Sequence, residues 1–155
     1  MKNWKIRGTK DGKFTEVIVQ AQAWADAAKA GREAPHTMDV RDVVLVDLPE
    51  VLMARLHREH GFVPDRLLPT FACKDFMTAV GWKTAVVRVV VPDNDMGQIW
   101  LMGDYHSEGR NALVGCMAVI SQDADNDTLH AYVDKFSQDV TEAIANTYAG
   151  RLLAA

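Results

Sequence analysis

Apolar and polar positions alternate on both sides of Asp11-Gly12. A type I′ turn needs positive φ at both central residues, and Asp-Gly supplies it. That turn sets the pairing: Ile6 faces Val17, Trp4 faces Val19, and Arg7 faces Glu16. The register predicts a hairpin with Trp4, Ile6, Val17 and Val19 on one face and the Arg7/Glu16 pair on the other. Residues 20–30 are Ala-rich, with Trp24 and Ala28 at helical spacing, and predict a helix with Gly31 just past its end. Residues 32–39 read as a loop. The β-branched run at 43–46 predicts a central strand buried on both faces. Pro49 opens a helix at its first position, where a missing N–H costs nothing; Leu52, Met53, Leu56 and His60 form its apolar stripe, and Gly61 ends it. Pro64 and Pro69 bound a loop, and Thr70 caps a short helix through Val80, with Gly81 beyond it.

The period then changes to two. Residues 84–91, 98–106 and 112–120 predict three strands, and the short polar connections between them imply an antiparallel meander. Leu129, Tyr132, Val133, Phe136, Val140, Ile144, Tyr148 and Leu152 recur at three- and four-residue steps and predict a long final helix. Asp127 is its expected N-cap, and Gly150 marks fraying near its end. The order is ββαβ-α-α-βββ-α. It predicts an α+β fold, a two-layer sandwich with a mostly antiparallel sheet and a long C-terminal helix, in one domain over residues 1–155. A three-stranded meander followed by a packing helix is similar in layout to bacterial secretion-chaperone-type domains. That likeness is one of element order over half the chain and carries no specific motif.

Composition narrows the function classes. Apolar residues make up 48% of the 155 positions and charged residues 25%, ordinary globular values. The net charge is −4, which disfavours duplex nucleic acid as a partner. It is unevenly spread. Residues 1–41 hold eight basic and five acidic side chains, a net of +3, while residues 42–155 hold nine and sixteen, a net of −7. No apolar run reaches membrane-spanning length, and no apolar signal segment follows the basic start, so the expected setting is cytoplasmic. Cys73 and Cys116 are too few for a disulfide scaffold and read as small buried hydrophobes.

Few residue patterns carry chemistry. The stretch 103–110 is the densest in polar groups, and Asp104 with His106 could serve as orienter and base in a small-molecule enzyme. Its plainer reading is a solvated hairpin tip. Within that hairpin Cys116 falls on the face opposite His106, which disfavours a Cys–His dyad. His57 and His60 are three apart on a helix, near enough to share a metal ion, but a third ligand such as His36 or Asp65 would have to come from elsewhere. The Asp123, Asp125, Asp127 series opens like a calcium loop, then fails at the positions that need Gly and Glu, and reads as helix capping. No phosphate loop, nucleophile elbow or paired CxxC is present, so no cofactor or metal is expected. The basic hairpin could touch nucleic acid through Trp4 and Phe14, but Trp4 is expected in the core.

The sheet holds surplus apolar surface. Trp100 and Met102 face away from Ile99 and Leu101, and the strand at 84–91 is apolar at nearly every position. One layer of helices covers only one sheet face, so a second chain or the helices at 49–61 and 71–80 must cover the other. The sequence therefore points to a protein-binding module of the accessory, chaperone-like or inhibitor kind. It would act on a protein partner as a homodimer, through Trp100 and Met102 with Asp134, Asp139 and Glu142 as an acidic rim.

Overall fold

The computed structural model describes residues 1–79, 81–93, 97–105 and 116–154. The N-terminal hairpin comprises β1 (Lys2–Lys10) and β2 (Lys13–Ala21). Asp11 and Gly12 both take positive φ, 52° and 74°, as the turn type demands. The register is the expected one, Trp4 opposite Val19, Ile6 opposite Val17 and Arg7 opposite Glu16. Trp4 and Ile6 are fully buried. Arg7 turns away from Glu16 to Asp42, its partner on the strand at the other side, with Nε donating to Oδ1 at 2.7 Å.

Helix α1 (Trp24–Arg32) packs on this hairpin through Ala27, Ala28 and Gly31. Gly31 lies inside the helix and does not end it: a β-carbon there would stand 3.0 Å from the Ile6 side chain. Strand β3 (Asp39–Leu45) pairs antiparallel with β1 and completes a sheet of order β2-β1-β3. It is buried on both faces at Asp42, Val43 and Val44, as expected, but it is an edge strand and β1 is central. Its hidden faces come from neighbouring side chains, since continuous apolarity reports burial and not position in a sheet.

Helix α2 (Leu48–His60) has Pro49 in its first turn and Gly61 as a left-handed C-cap. It buries Leu52, Met53 and Leu56, and His60 edges the core. After the two-residue β4 (Val63–Pro64), residues 71–78 form β5 (Phe71–Thr78), not the helix expected over 70–80. Gly81, at φ 106°, opens the return strand and ends no helix. Strand β5 pairs along its length with β6 (Gly81–Val90), and β7 (Gln98–Tyr105) and β8 (Cys116–Ser121) continue the antiparallel meander. The second sheet has order β4-β5-β6-β7-β8.

Helix α3 (Asn126–Ala154) crosses the inner face of this sheet with Leu129, Val133, Phe136, Val140 and Ile144 buried. Tyr132 is 42% exposed, one position off that stripe, and the Tyr148 and Leu152 side chains lie outside the described residues. The cap is Asp125, not Asp127: its Oδ1 accepts the Thr128 N–H at 2.8 Å, which holds its carboxyl below the usual range. The backbone remains helical through Gly150, where fraying was expected.

The architecture is thus α+β with antiparallel sheets and a long C-terminal helix. The observed order is ββαβαβββββα, with the second of the two expected middle helices replaced by a strand and the short β4 added before it. The sheets are joined by Gln122, which is fully buried. Its amide oxygen accepts the Leu45 N–H at 2.8 Å, and its amide nitrogen donates to the Val43 and Gln98 carbonyls at 2.9 and 3.1 Å. One side chain thereby occupies the outer edge of β3 as a neighbouring strand would.

Candidate protein-binding face

Alternation along a strand sends every second side chain to the opposite face. Ala72, Ala85, Val87, Val89, Ile99, Leu101 and Ile120 point inward, into one core with α2 and α3. Cross-strand partners then define the outer face. Val63 lies beside Cys73 and Val86, Phe71 beside Arg88, Met102 and Met117, and Val90 beside Trp100 and Val119. Met77 and Trp82 close one end. Both α2 and α3 pack on the inner face, and no described element covers the outer one. Coverage by the helices expected at 49–61 and 71–80 is therefore overturned, because the second is a strand of the sheet and the first lies behind it.

The exposures bear this out. Val63 is 62% exposed, Met77 63%, Trp82 65% and Met117 57%. Trp100 and Met102, at the middle of the face, are half-buried by their neighbours. Strands β5 to β8 at ~4.8 Å spacing and ~3.3 Å per residue give about 450 Å² in projection. That is within the range of the largest patch on a typical monomer, and patches of this size are often functional.

Charge within the face is sparse and placed. Arg88 and Asp104 sit diagonally on β6 and β7, with Nε 3.9 Å from Oδ2. The Arg88 Nε atom is shielded from solvent and has no hydrogen-bond partner. Asp75 accepts the Thr84 hydroxyl at 2.6 Å. Desolvation pushes the Cys73 thiol up, reinforced by Asp65 and Asp75, so it is a poor nucleophile.

The acidic positions are elsewhere. Asp134, Asp139 and Glu142 lie on α3, behind the sheet, and are not brought together with Trp100 and Met102. Asp139 is exposed, and Glu142 accepts from Gln138 at 3.0 Å. Asp134 joins α3 to α2. Arg55 donates to it twice, at 3.0 and 2.8 Å, and His60 Nε2 lies 2.7 Å from Oδ1. Hydrogen bonds from Arg55, then His60, lower its carboxyl to about 2. A depressed folded-state value stabilises the protein above the ordinary carboxyl value of 3.8 and is lost as pH falls toward 2. Asp134→Asn should therefore flatten the loss of thermal stability between those pH values. Parallel wild-type and variant melting curves across that window would refute the assignment. The carboxylate is partly exposed, so the effect is screened and modest.

The remaining candidates fall apart or away. The His57 Nδ1 atom bonds the Phe62 carbonyl at 2.8 Å while His60 turns to Asp134, so the two rings do not converge. Asp65 is engaged by the Leu67 and Leu68 amides. Asp123 accepts the Trp24 N–H at 2.9 Å. Among the described residues no group of three His, Cys, Asp or Glu could hold a metal. A cavity of about 520 Å³ opens where Lys2 meets the starts of α2 and α3. Asp104 is on the outer face, and His106, like residues 107–115, where the tip was expected, lies outside the described residues. Among the described residues no helix is long and apolar enough to cross a membrane.

Alternation on β7 was signal enough for Trp100 and Met102. Val63, Phe71, Met77 and Trp82 carry no such signal, because apolar residues on both faces of β5 hide its period of two and β4 is only two residues long. Comparison with protein-family models, with the curated proteins and with solved structures returns no match to this chain.

Proposed function

We propose that this protein is a protein-binding module of the accessory, chaperone-like or inhibitor kind, and that the outer face of the five-stranded sheet binds a second copy. The observation that carries the reading is an apolar sheet face with Trp100 and Met102 at its middle and no described element over it. The Arg88/Asp104 diagonal favours the copy as occupant. A two-fold axis between them sets each arginine on the other chain's aspartate, a self-complementary arrangement. The expected setting is cytoplasmic, in keeping with Cys73 as an unpaired thiol. The net charge of −4 argues for protein over nucleic acid as partner.

Native mass spectrometry and sedimentation test this. Wild type should form a two-chain species, and Trp100→Ala should weaken it roughly thirtyfold, the ~2 kcal/mol of a buried Trp anchor. Arg88→Asp and Asp104→Arg should each dissociate it, and mixing the two variants should restore a heterodimer. A monomeric wild type, or a mixture that stays monomeric, overturns the assignment.

A further inference from the structure

The three-stranded sheet has two edges, and they are treated differently. At β3 the Gln122 side chain bonds the outward Val43 carbonyl and Leu45 amide. At β2 the described residues place no strand or side-chain amide. Which β2 groups are open follows from the turn. A two-residue hairpin makes Lys10 and Lys13 a hydrogen-bonded pair, and bonded pairs then alternate with non-bonded ones. Thr15, Val17, Val19 and Ala21 therefore bond to β1. Phe14, Glu16, Ile18 and Gln20 turn their main-chain N–H and C=O groups outward.

The devices that blunt natural edges are weak on this strand. It runs nine residues with no proline and no break in register. Phe14 and Ile18, two of the four outward-bonding residues, are 67% and 53% exposed. The hairpin around them carries Lys2, Lys5, Arg7, Lys10 and Lys13 against Asp11 and Glu16. Arg7 is committed to Asp42, and Lys5 stands 4.0 Å from Glu16. The positive balance of the hairpin favours an acidic segment as the strand added beside it.

We infer that β2 accepts an extended acidic segment of a partner protein as a fourth strand. The segment bonds to the main chain at Phe14, Glu16, Ile18 and Gln20 and sets alternate apolar side chains beside Phe14 and Ile18. Main-chain pairing supplies affinity, and side-chain alternation with charge supplies selectivity. This surface is separate from the face proposed above, and the inference stands whether or not that face dimerises.

The test is titration with a capped eight-residue peptide, Glu-Ile-Asp-Val-Glu-Ile-Asp-Val, read by amide hydrogen exchange and by fluorescence anisotropy. Saturable binding should slow exchange at Glu16 and Ile18 at least tenfold and weaken in high salt. A peptide with lysine in place of each acidic residue should bind at least tenfold more weakly. Ile18→Pro removes an outward N–H that β1 does not use, so the hairpin should keep its fold while binding falls at least tenfold. If that variant unfolds, Lys5→Glu combined with Lys13→Glu gives the same reading through charge. Equal binding of acidic and basic peptides, unchanged exchange at those amides, no saturable binding, or occupation of the edge by a second copy would each overturn the inference.

Discussion

Gly8→Ala should melt about 6–12 °C below wild type, from a cost of about 3 kcal/mol at 2–4 °C per kcal/mol for a chain of this size. Gly8 lies where the β1–β3 register shifts, between Arg7 and Gly8. A β-carbon there would fall on the Asp39 carbonyl oxygen and 3.1 Å from the Arg41 amide nitrogen. Both are main-chain atoms of β3, so no rotamer change relieves the overlap. The strand has to move, and the Arg7–Asp42 bond and the Val43 packing move with it. Gly12→Ala is the control. Gly12 has φ 74° and nothing within 4 Å, so alanine there meets conformational strain alone, about 1 kcal/mol. Thermal melting of both separates steric overlap from backbone strain, and equal losses would show that the β1–β3 approach is not tight.

What could be read from the sequence was what local chemistry decides. The hairpin register followed from one turn type and an alternation, both within β1 and β2. Helix α2 followed from Pro49, Gly61 and an apolar stripe. Strand β5 failed for a physical reason. Phe71, Cys73 and Met77 point outward and Ala72 and Phe76 inward, so both faces are apolar and no period of two stands out. Thr70 and Gly81 then looked like helix ends. The outward apolarity that hid this strand is the same property that marks the candidate face. Strand β3 misled similarly, because an apolar run records burial but not which strands lie beside it.

The candidate site was legible in part. Opposite facing of Trp100 and Ile99 is a local fact of a strand, and it held. The acidic positions were joined to the wrong surface, although the pattern allowed the right inference. A helix that covers Ile99 and Leu101 carries its outer charges one layer behind Trp100. The Arg88/Asp104 diagonal needed the β6–β7 register, which the connecting segment does not declare. Asp125 and Asp127 could each cap α3, and the choice was set by where helical backbone begins.

Gln122→Leu should cost about 3 kcal/mol or more, since each buried group left without a partner costs about 1–3 kcal/mol. Leucine keeps the apolar bulk but strands the Leu45 N–H and the Val43 and Gln98 carbonyls, all bonded by the one amide. No pattern in the sequence marks this residue: it is a polar side chain just after a strand, and only long-range packing makes it fully buried. Gln122→Glu separates hydrogen bonding from shape. A carboxylate still accepts from Leu45 but turns lone pairs toward two carbonyls in a buried site, so ionisation is disfavoured and the folded-state pKa rises. A raised value gives stability that is present below the unfolded glutamate value of about 4.3 and is lost as pH rises through the folded one. The Glu variant should therefore melt closer to wild type at pH 4 than at pH 7, while the Leu variant keeps a constant deficit. A Glu variant whose deficit does not change with pH would mean that water reaches the site and that the amide does not close the β3 edge. In that case β2 would lose its standing as the one open edge of its sheet among the described residues.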